Sequence, residues 1–244
     1  MARFFVNKEN ISENTIIIDS PDAHHIARSL RMAEGDEVVV CDGEGAEYRC
    51  RLTRIRDEEC LCEIVEQIHL GTESPVKITL CMAYPKGDKL EVVIQKAVEL
   101  GVSRIIPFES SRCIKRPKAE KAEKQTARLA RISEEAAKQC GRAMIPTVTQ
   151  PMSYSQMLDE ATSCDLALLC YENEEGLTVK DIIKGKEKPL SVAVIVGSEG
   201  GFSPDEAEEA KNKGCISVSL GNRILRCETA PSFVLSALSY EFEL

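Results

Sequence analysis

Over residues 1–70, apolar and polar positions alternate in short runs with the two-residue period of half-buried strands. The pattern predicts strands over 3–6, 15–18, 37–41, 46–55 and 59–68, broken by Asp42-Gly-Glu-Gly45. One short helix interrupts them, from Pro21-Asp-Ala-His-His25 to about Arg31, with Ser20 as its cap and Pro21 at the first helical position. From residue 76 the period changes. Apolar runs that suit strands at 76–83, 104–108, 165–170, 191–196 and 216–220 are interleaved with helical stretches at 88–100, 118–140, 204–212 and 230–242. Alternation of that kind builds a parallel α/β sheet. Gly71-Thr-Glu-Ser-Pro75 is the one stretch that combines turn residues with a change of pattern. The chain is therefore expected to divide into a small β-rich domain, 1–72, and an α/β domain, 73–244.

Composition adds limits rather than a function. At 43% hydrophobic and 29% charged residues, the chain is ordinary globular material with enough apolar surface for a sizeable core. No apolar run approaches the roughly 18 residues that span a bilayer, and the opening Met-Ala-Arg-Phe-Phe lacks the apolar stretch of a signal peptide, so a soluble cytoplasmic protein is expected. Eleven cysteines, odd in number and irregular in spacing, do not make a disulfide scaffold and should be reduced and partly buried. No metal site is expected, since the nearest approach to one, Cys60-x-Cys62, lies in a strand pattern that puts both thiols on one sheet face. The net charge of −9 argues against a nucleic-acid partner until its distribution is read. Residues 104–142 hold eleven Lys/Arg against five Asp/Glu, and the remainder holds 20 against 35. One basic segment in an acidic chain points to a defined anionic contact; a solvated helix face with surplus lysine is the alternative.

Ligands of open parallel sheets bind beyond the carboxyl ends of the strands, and two strand ends stand out. Val192-Ala-Val-Ile-Val196 runs into Gly197-Ser-Glu-Gly-Gly-Phe202, followed by Ser203, Pro204 and Glu206 as a well-marked helix start. Three glycines in five residues let main chain approach a ligand closely. The loop lacks the lysine of a Walker loop, and Glu199 would repel phosphate, so a neutral group such as an adenosine moiety fits better than a polyphosphate. A tight turn with no ligand is the alternative. At the second strand end, Gly221-Asn-Arg-Ile-Leu-Arg-Cys-Glu-Thr229 mixes two arginines and a glutamate with Ile224 and Leu225. Either its arginines bind a phosphate or carboxylate, or Arg226 pairs with Glu228 and merely ties the loop down.

Taken together, Gly197-Ser-Glu-Gly-Gly-Phe-Ser203 and Leu220-Gly-Asn-Arg-Ile-Leu-Arg-Cys-Glu-Thr-Ala230 resemble the signature of the bacterial 16S ribosomal RNA (uracil-N3)-methyltransferases, the RsmE family of the SPOUT superfamily. The similarity extends over nearly the whole chain. It includes Arg3-Phe-Phe5, His24-His-Ile-Ala-Arg-Ser-Leu-Arg31, Lys86-Gly-Asp-Lys89 through Glu99-Leu-Gly101, and Arg131-Ile-Ser-Glu-Glu-Ala-Ala-Lys-Gln-Cys-Gly-Arg142. Departures from the family pattern fall at Ser198 and Asn222, where proline is common, Cys227, where threonine is, and Pro231, where alanine is. They put fine geometry in doubt more than activity, because the glycines, Glu199, both arginines and Glu228 are retained.

The resemblance implies a PUA-like β-barrel for RNA recognition, a SPOUT α/β domain with a deep trefoil knot that holds S-adenosylmethionine, and a homodimer. The apolar closing helix, with Phe233, Val234, Leu235, Leu238, Tyr240 and Phe242, is compatible with an interface or with burial in one chain. The reaction implied is methylation of uracil N3 in 16S ribosomal RNA of the small subunit. Cofactor contacts are then expected from Leu168, Leu169, Cys170, Val196, Gly197, Gly200, Leu220, Gly221, Ile224 and Leu225. Arg226 would stabilise the uracil anion, with Glu228 or Glu199 orienting it. RNA contacts are expected from Arg3, Arg28, Arg31, Lys86, Arg112, Lys115 and Arg116, extended by Arg131, Lys138 and Arg142. Two other functions remain open: a SPOUT enzyme acting on a transfer-RNA ribose, and an RNA-binding ribosome-assembly protein without catalysis.

Overall fold

The computed structural model describes residues 1–114 and 119–244. Its contacts divide into two compact units, one formed by 1–73 with 137–145 and the other by 74–136 with 146–244.

In the first unit, β1 (Arg3–Phe5), β2 (Thr15–Asp19), β3 (Glu37–Cys41), β4 (Glu47–Ile55) and β5 (Glu59–Ile68) form one sheet in the order β1-β3-β4-β5-β2. All pairings are antiparallel except β1 with β3. The period-two pattern explains its core: Ile16, Ile18, Val38, Val40, Cys50, Leu52, Cys60 and Cys62 pack in one buried cluster. The short helix is α1 (Asp22–His24), which continues as a wider π-helical turn over His25–Leu30 and stops at Arg31, in the left-handed region at φ 52°. The expected Ser20 cap is not formed. Pro21 is the N-cap residue with no side-chain cap, and the Ser20 N–H donates instead to the Glu58 carbonyl at 3.1 Å.

The second unit is a parallel sheet. Its strands are β6 (Lys77–Ala83), β7 (Val102–Glu109), β8 (Thr147–Val148), β9 (Met152–Ser153), β10 (Leu166–Cys170), β11 (Ser191–Val196) and β12 (Ile216–Val218). The order is β12-β10-β11-β6-β7-β8, with β9 also beside β7. Every residue of β11 but Ser191 is buried, as a strand covered on both faces requires. Helices α2 (Lys89–Glu99), α3 (Ala119–Cys140), α6 (Pro204–Asn212) and α7 (Thr229–Phe242) fall where their periodicity puts them, within a residue or two. Helices α4 (Tyr154–Ala161) and α5 (Val179–Ile183) do not appear in the pattern reading, although each carries a complete capping box, Ser153 with Gln156 and Thr178 with Asp181. Strand β12 is shorter than the apolar run predicts. Ser219 leaves the ladder to donate its N–H to the Leu177 carbonyl at 2.7 Å.

The consequence for function is topological. Strands β10, β11 and β12 are neighbours and run parallel, so the segments after them leave from one end of the sheet.

Candidate functional site

Those three segments wall a cavity of about 810 Å3, within the size range of small-molecule sites. The loop after β11 takes its turn and its cap locally and packs against distant residues. Gly201, at φ 63°, turns the chain so that its N–H donates to the Ser198 carbonyl at 3.0 Å. Ser203 and Glu206 then close a capping box on α6. Glu206 is buried because its carboxylate also accepts from the Ser111 N–H at 2.6 Å and the Ser111 hydroxyl at 2.8 Å. Phe202 is fully buried, stacked on Phe108 with ring centres 6.4 Å apart and tilted against Tyr154. Main chain is crowded here as well. A Cβ on Gly197 would meet the Gly201 backbone at 3.1 Å, and one on Gly200 would meet the Arg112 Cβ at 2.9 Å.

The loop before α7 is different. Residues 221–224 are exposed, Ile224 to 87%, and Gly221 has φ 105°. Its far end is held by main-chain bonds from Thr229 and Ala230 to the Arg226 carbonyl and by an ionic bridge. The ammonium of Lys89, in the first turn of α2, lies 3.0 Å from Glu199 and 3.2 Å from Glu228. Glu199 also accepts from the Lys86 N–H at 3.1 and 3.3 Å, and Glu228 from the Cys227 thiol at 3.2 Å. These contacts fix the charge states. Hydrogen bonds donated by Lys89 to Glu199 and then Glu228 raise the Lys89 pKa. Burial pushes Glu199 up, but its own N–H, Lys89 and the Lys86 N–H outweigh it and leave the carboxyl below its usual range. Glu228 is lowered by its own backbone N–H at the start of α7 and by Cys227 and Lys89. At neutral pH all three are charged. The two cysteines of the wall, Cys170 and Cys227, are pushed up to about 12 by burial, so neither is a thiolate there.

Of the expected cofactor contacts, Cys170, Val196, Gly197, Gly200, Leu220, Gly221, Ile224 and Leu225 line the cavity, as do Glu199 and Arg226. Leu168 and Leu169 do not, being fully buried inside β10. Glu228 reaches the wall through Lys89 and Cys227, and both it and Glu199 engage Lys89 rather than Arg226. Sequence reasoning overlooked Lys89 as a site residue and the acidic run Glu172, Glu174 and Glu175 after β10. The available signal was the lysine at the start of a helix, where acids are the usual residents.

The basic residues separate by partner. Arg3 is an interior residue of the first unit, bonded to Glu47 at 2.7 Å, the Cys41 sulfur and the Arg142 carbonyl. Arg142 is also buried, on Glu73 at 2.6 Å. Lys138 pairs with Asp22 at 2.8 Å, Arg131 with Glu135 at 3.0 Å, and Arg28 with Asp57. Arg31 and Lys86 are exposed, and Arg112 donates to the Gly200 carbonyl at 3.0 Å. Lys115 and Arg116 lie outside the described residues. Among the described residues no cysteine is in a disulfide, and no group of three or more His, Cys, Asp or Glu suited to a metal occurs. No described helix is long and apolar enough to cross a membrane.

Comparison with known proteins adds names to this geometry. Residues 72–239 match the RNA methyltransferase domain and residues 18–65 the RNA methyltransferase PUA domain. The chain is 35% identical over its full length to ribosomal RNA small subunit methyltransferase E of Bacillus subtilis, covering 98% of that protein. It is 32% identical to the protein of the same name from Synechocystis, covering 97% of this chain and 77% of that one. Among solved structures, the Neisseria gonorrhoeae ribosomal RNA small subunit methyltransferase E bound to S-adenosyl methionine superposes with a TM-score of 0.86 at 32% identity, over 98% of this chain and 97% of that one.

Proposed function

Because the chain belongs to the ribosomal RNA small subunit methyltransferase E family, with an RNA methyltransferase domain and a PUA domain, we propose that it methylates uracil N3 in 16S ribosomal RNA of the small subunit, with S-adenosylmethionine as donor. The observation that carries this reading is the cavity itself. In a family whose members include one solved with that cofactor bound, two glycine-bearing loops, after β11 and β12 on either side of β10, wall a space of cofactor size. The fit is chemical as well as spatial. Backbone groups at Gly197, Gly200, Leu220 and Leu225, with the apolar walls Val196 and Ile224, suit a largely neutral nucleoside better than a polyphosphate.

When bound, S-adenosylmethionine supplies a methyl group on a positively charged sulfur. The protein must then hold the base in line with that methyl and make loss of the N3 proton easier. The cavity offers no neutral base for that proton: its two thiols and its lysine stay protonated, and none of the three histidines lines it. Arg226 therefore acts by charge, stabilising the uracil anion formed as the N3 proton passes to solvent water. RNA contacts are assigned to Arg28, Arg31, Lys86, Arg112, Lys115 and Arg116; Arg3, paired with the buried Glu47, and the buried Arg142, paired with Glu73, carry structure instead.

The same reading brings a domain boundary near residue 72, a trefoil knot around the cofactor loops, a homodimer and work in the cytoplasm, where ribosomes are methylated. The dimer is supported by α7, where Phe233 and Tyr240, seven residues apart, are 46% and 73% exposed while Val234, Leu235 and Leu238 are buried. The test is direct. Incubation with labelled S-adenosylmethionine and small ribosomal subunits lacking the modification should yield labelled 3-methyluridine. Label in a ribose, label only with transfer RNA, or none at all would overturn the proposal.

A further inference from the structure

Lys89 stands at the first residue of α2, where unpaired N–H groups make the positive end of the helix and a second positive charge is unfavourable. What compensates it comes from two distant loops, Glu199 at 3.0 Å and Glu228 at 3.2 Å. Glu228 is two residues from Arg226, and the sequence alone would allow those two to pair. They do not. Glu228 is occupied by Lys89 and by the Cys227 thiol, and among the described residues no carboxylate lies within ion-pair distance of Arg226.

We infer that Lys89 is a positioning residue for the methyl transfer: by engaging Glu228 and Glu199 it withholds both carboxylates from Arg226 and leaves that guanidinium free for the base. The inference rests on the reading of this cavity as the methyl-transfer site. A guanidinium already paired with a carboxylate is neutralised and turned towards it, so it has little left for a developing anion. Lysine suits the task because a compact charge with three donors can serve two carboxylates at once. Without it, Glu228 has Arg226 as the neighbouring cation in its own loop. The bridge thus sets the direction of a side chain that it does not itself touch.

The experiment uses the full chain with Lys89→Met, Lys89→Arg and the double variant Lys89→Met/Glu228→Gln. Three quantities are read: S-adenosylmethionine affinity by calorimetry, kcat on small ribosomal subunits, and the Nε–H resonance of Arg226 in the cofactor-free protein. Lys89→Met should lower kcat on the order of tenfold with affinity little changed, and should move the Arg226 resonance towards that of a carboxylate-bound guanidinium. Lys89→Arg should keep most of the activity. Adding Glu228→Gln to Lys89→Met should restore much of the lost kcat and return the resonance, an outcome that a merely structural lysine would not give. A double variant no better than Lys89→Met, an unmoved resonance, or a loss confined to cofactor affinity would overturn the inference. Should Lys89→Met not fold, Lys89→Gln takes its place with the same readouts. If the wild-type protein binds no S-adenosylmethionine, the methyltransferase reading falls, while the resonance, which needs no cofactor, still decides whether Lys89 keeps Glu228 from Arg226.

Discussion

The two loops that wall the cavity solve opposite problems. The loop after β11 takes its turn and its cap from within a few residues, through Gly201 onto Ser198 and the Ser203–Glu206 capping box, and packs Phe202 against Phe108 and Tyr154. It meets the cavity with three glycines beside Ser198 and Glu199, and its shape is crowded enough that glycine is needed where Arg112 packs on it. The loop before α7 presents side chains, is exposed over residues 221–224, and is tied at its far end by an ion pair to a helix more than a hundred residues earlier in the chain. A backbone cradle can be made rigid locally, whereas a charged arm needs a distant partner to fix its direction. The division suggests that cofactor affinity resides in the first loop and catalytic rate in the second.

Arg226→Ala is the strongest challenge to that division. Loss of a charge aimed at a developing anion costs roughly a hundredfold to a thousandfold in kcat, and the variant should bind S-adenosylmethionine as the wild type does. Steady-state kinetics beside calorimetry separate the two effects. If affinity and rate fall together, the loops are not divided as described. Gly200→Ala probes the other side with a smaller effect. The new Cβ would lie 2.9 Å from the Arg112 Cβ and 3.3 Å from its carbonyl, positions that a side-chain rotation cannot relieve. Overpacking of this kind costs about 1–3 kcal/mol, so cofactor affinity should weaken by roughly tenfold to a hundredfold while kcat at saturating cofactor stays close to the wild type. Unchanged affinity would show that the loop gives way without cost to the cradle.

The same contrast explains what could be read from the sequence. The elements around the first loop, β11 and α6, were legible to the residue, because a buried apolar run, a glycine turn and a Ser-x-x-Glu cap are local signals. The cavity-lining residues of both loops were legible too, as the ends of strands of one parallel sheet, although β10 lies between the two. Partners of the charges were not. Nothing in the spacing of Lys89, Glu199 and Glu228 says that they meet, and the plausible local pair, Arg226 with Glu228, is not the one formed. Arg3 carries the same lesson in the first unit: expected to contact RNA, its side chain is buried against Glu47, 44 positions away. Helices α4 and α5 escaped for a different reason. Each is short, eight and five residues, so one capping box and barely two turns gave little period to detect.

The mildest perturbation, a change of pH, asks how firmly the second loop is tied. Glu199 and Glu228 are held below their ordinary value of 4.5, so what they add to stability is complete above that value and is lost as pH falls through their lower folded values. Lys89 is held above its ordinary 10.5, so its share is present below that value and is lost only as pH rises through the higher folded one. The bridge should therefore stay fully charged from about pH 5 to about pH 10, with the cavity thiols neutral across most of that window. The Arg226 resonance of the cofactor-free wild-type protein should be flat over it. A midpoint between about pH 6 and pH 8 in that resonance would mean that one carboxylate shares a proton with its neighbour. Lys89 would then not hold both carboxylates at once, and the second loop would be looser than its ion pair implies.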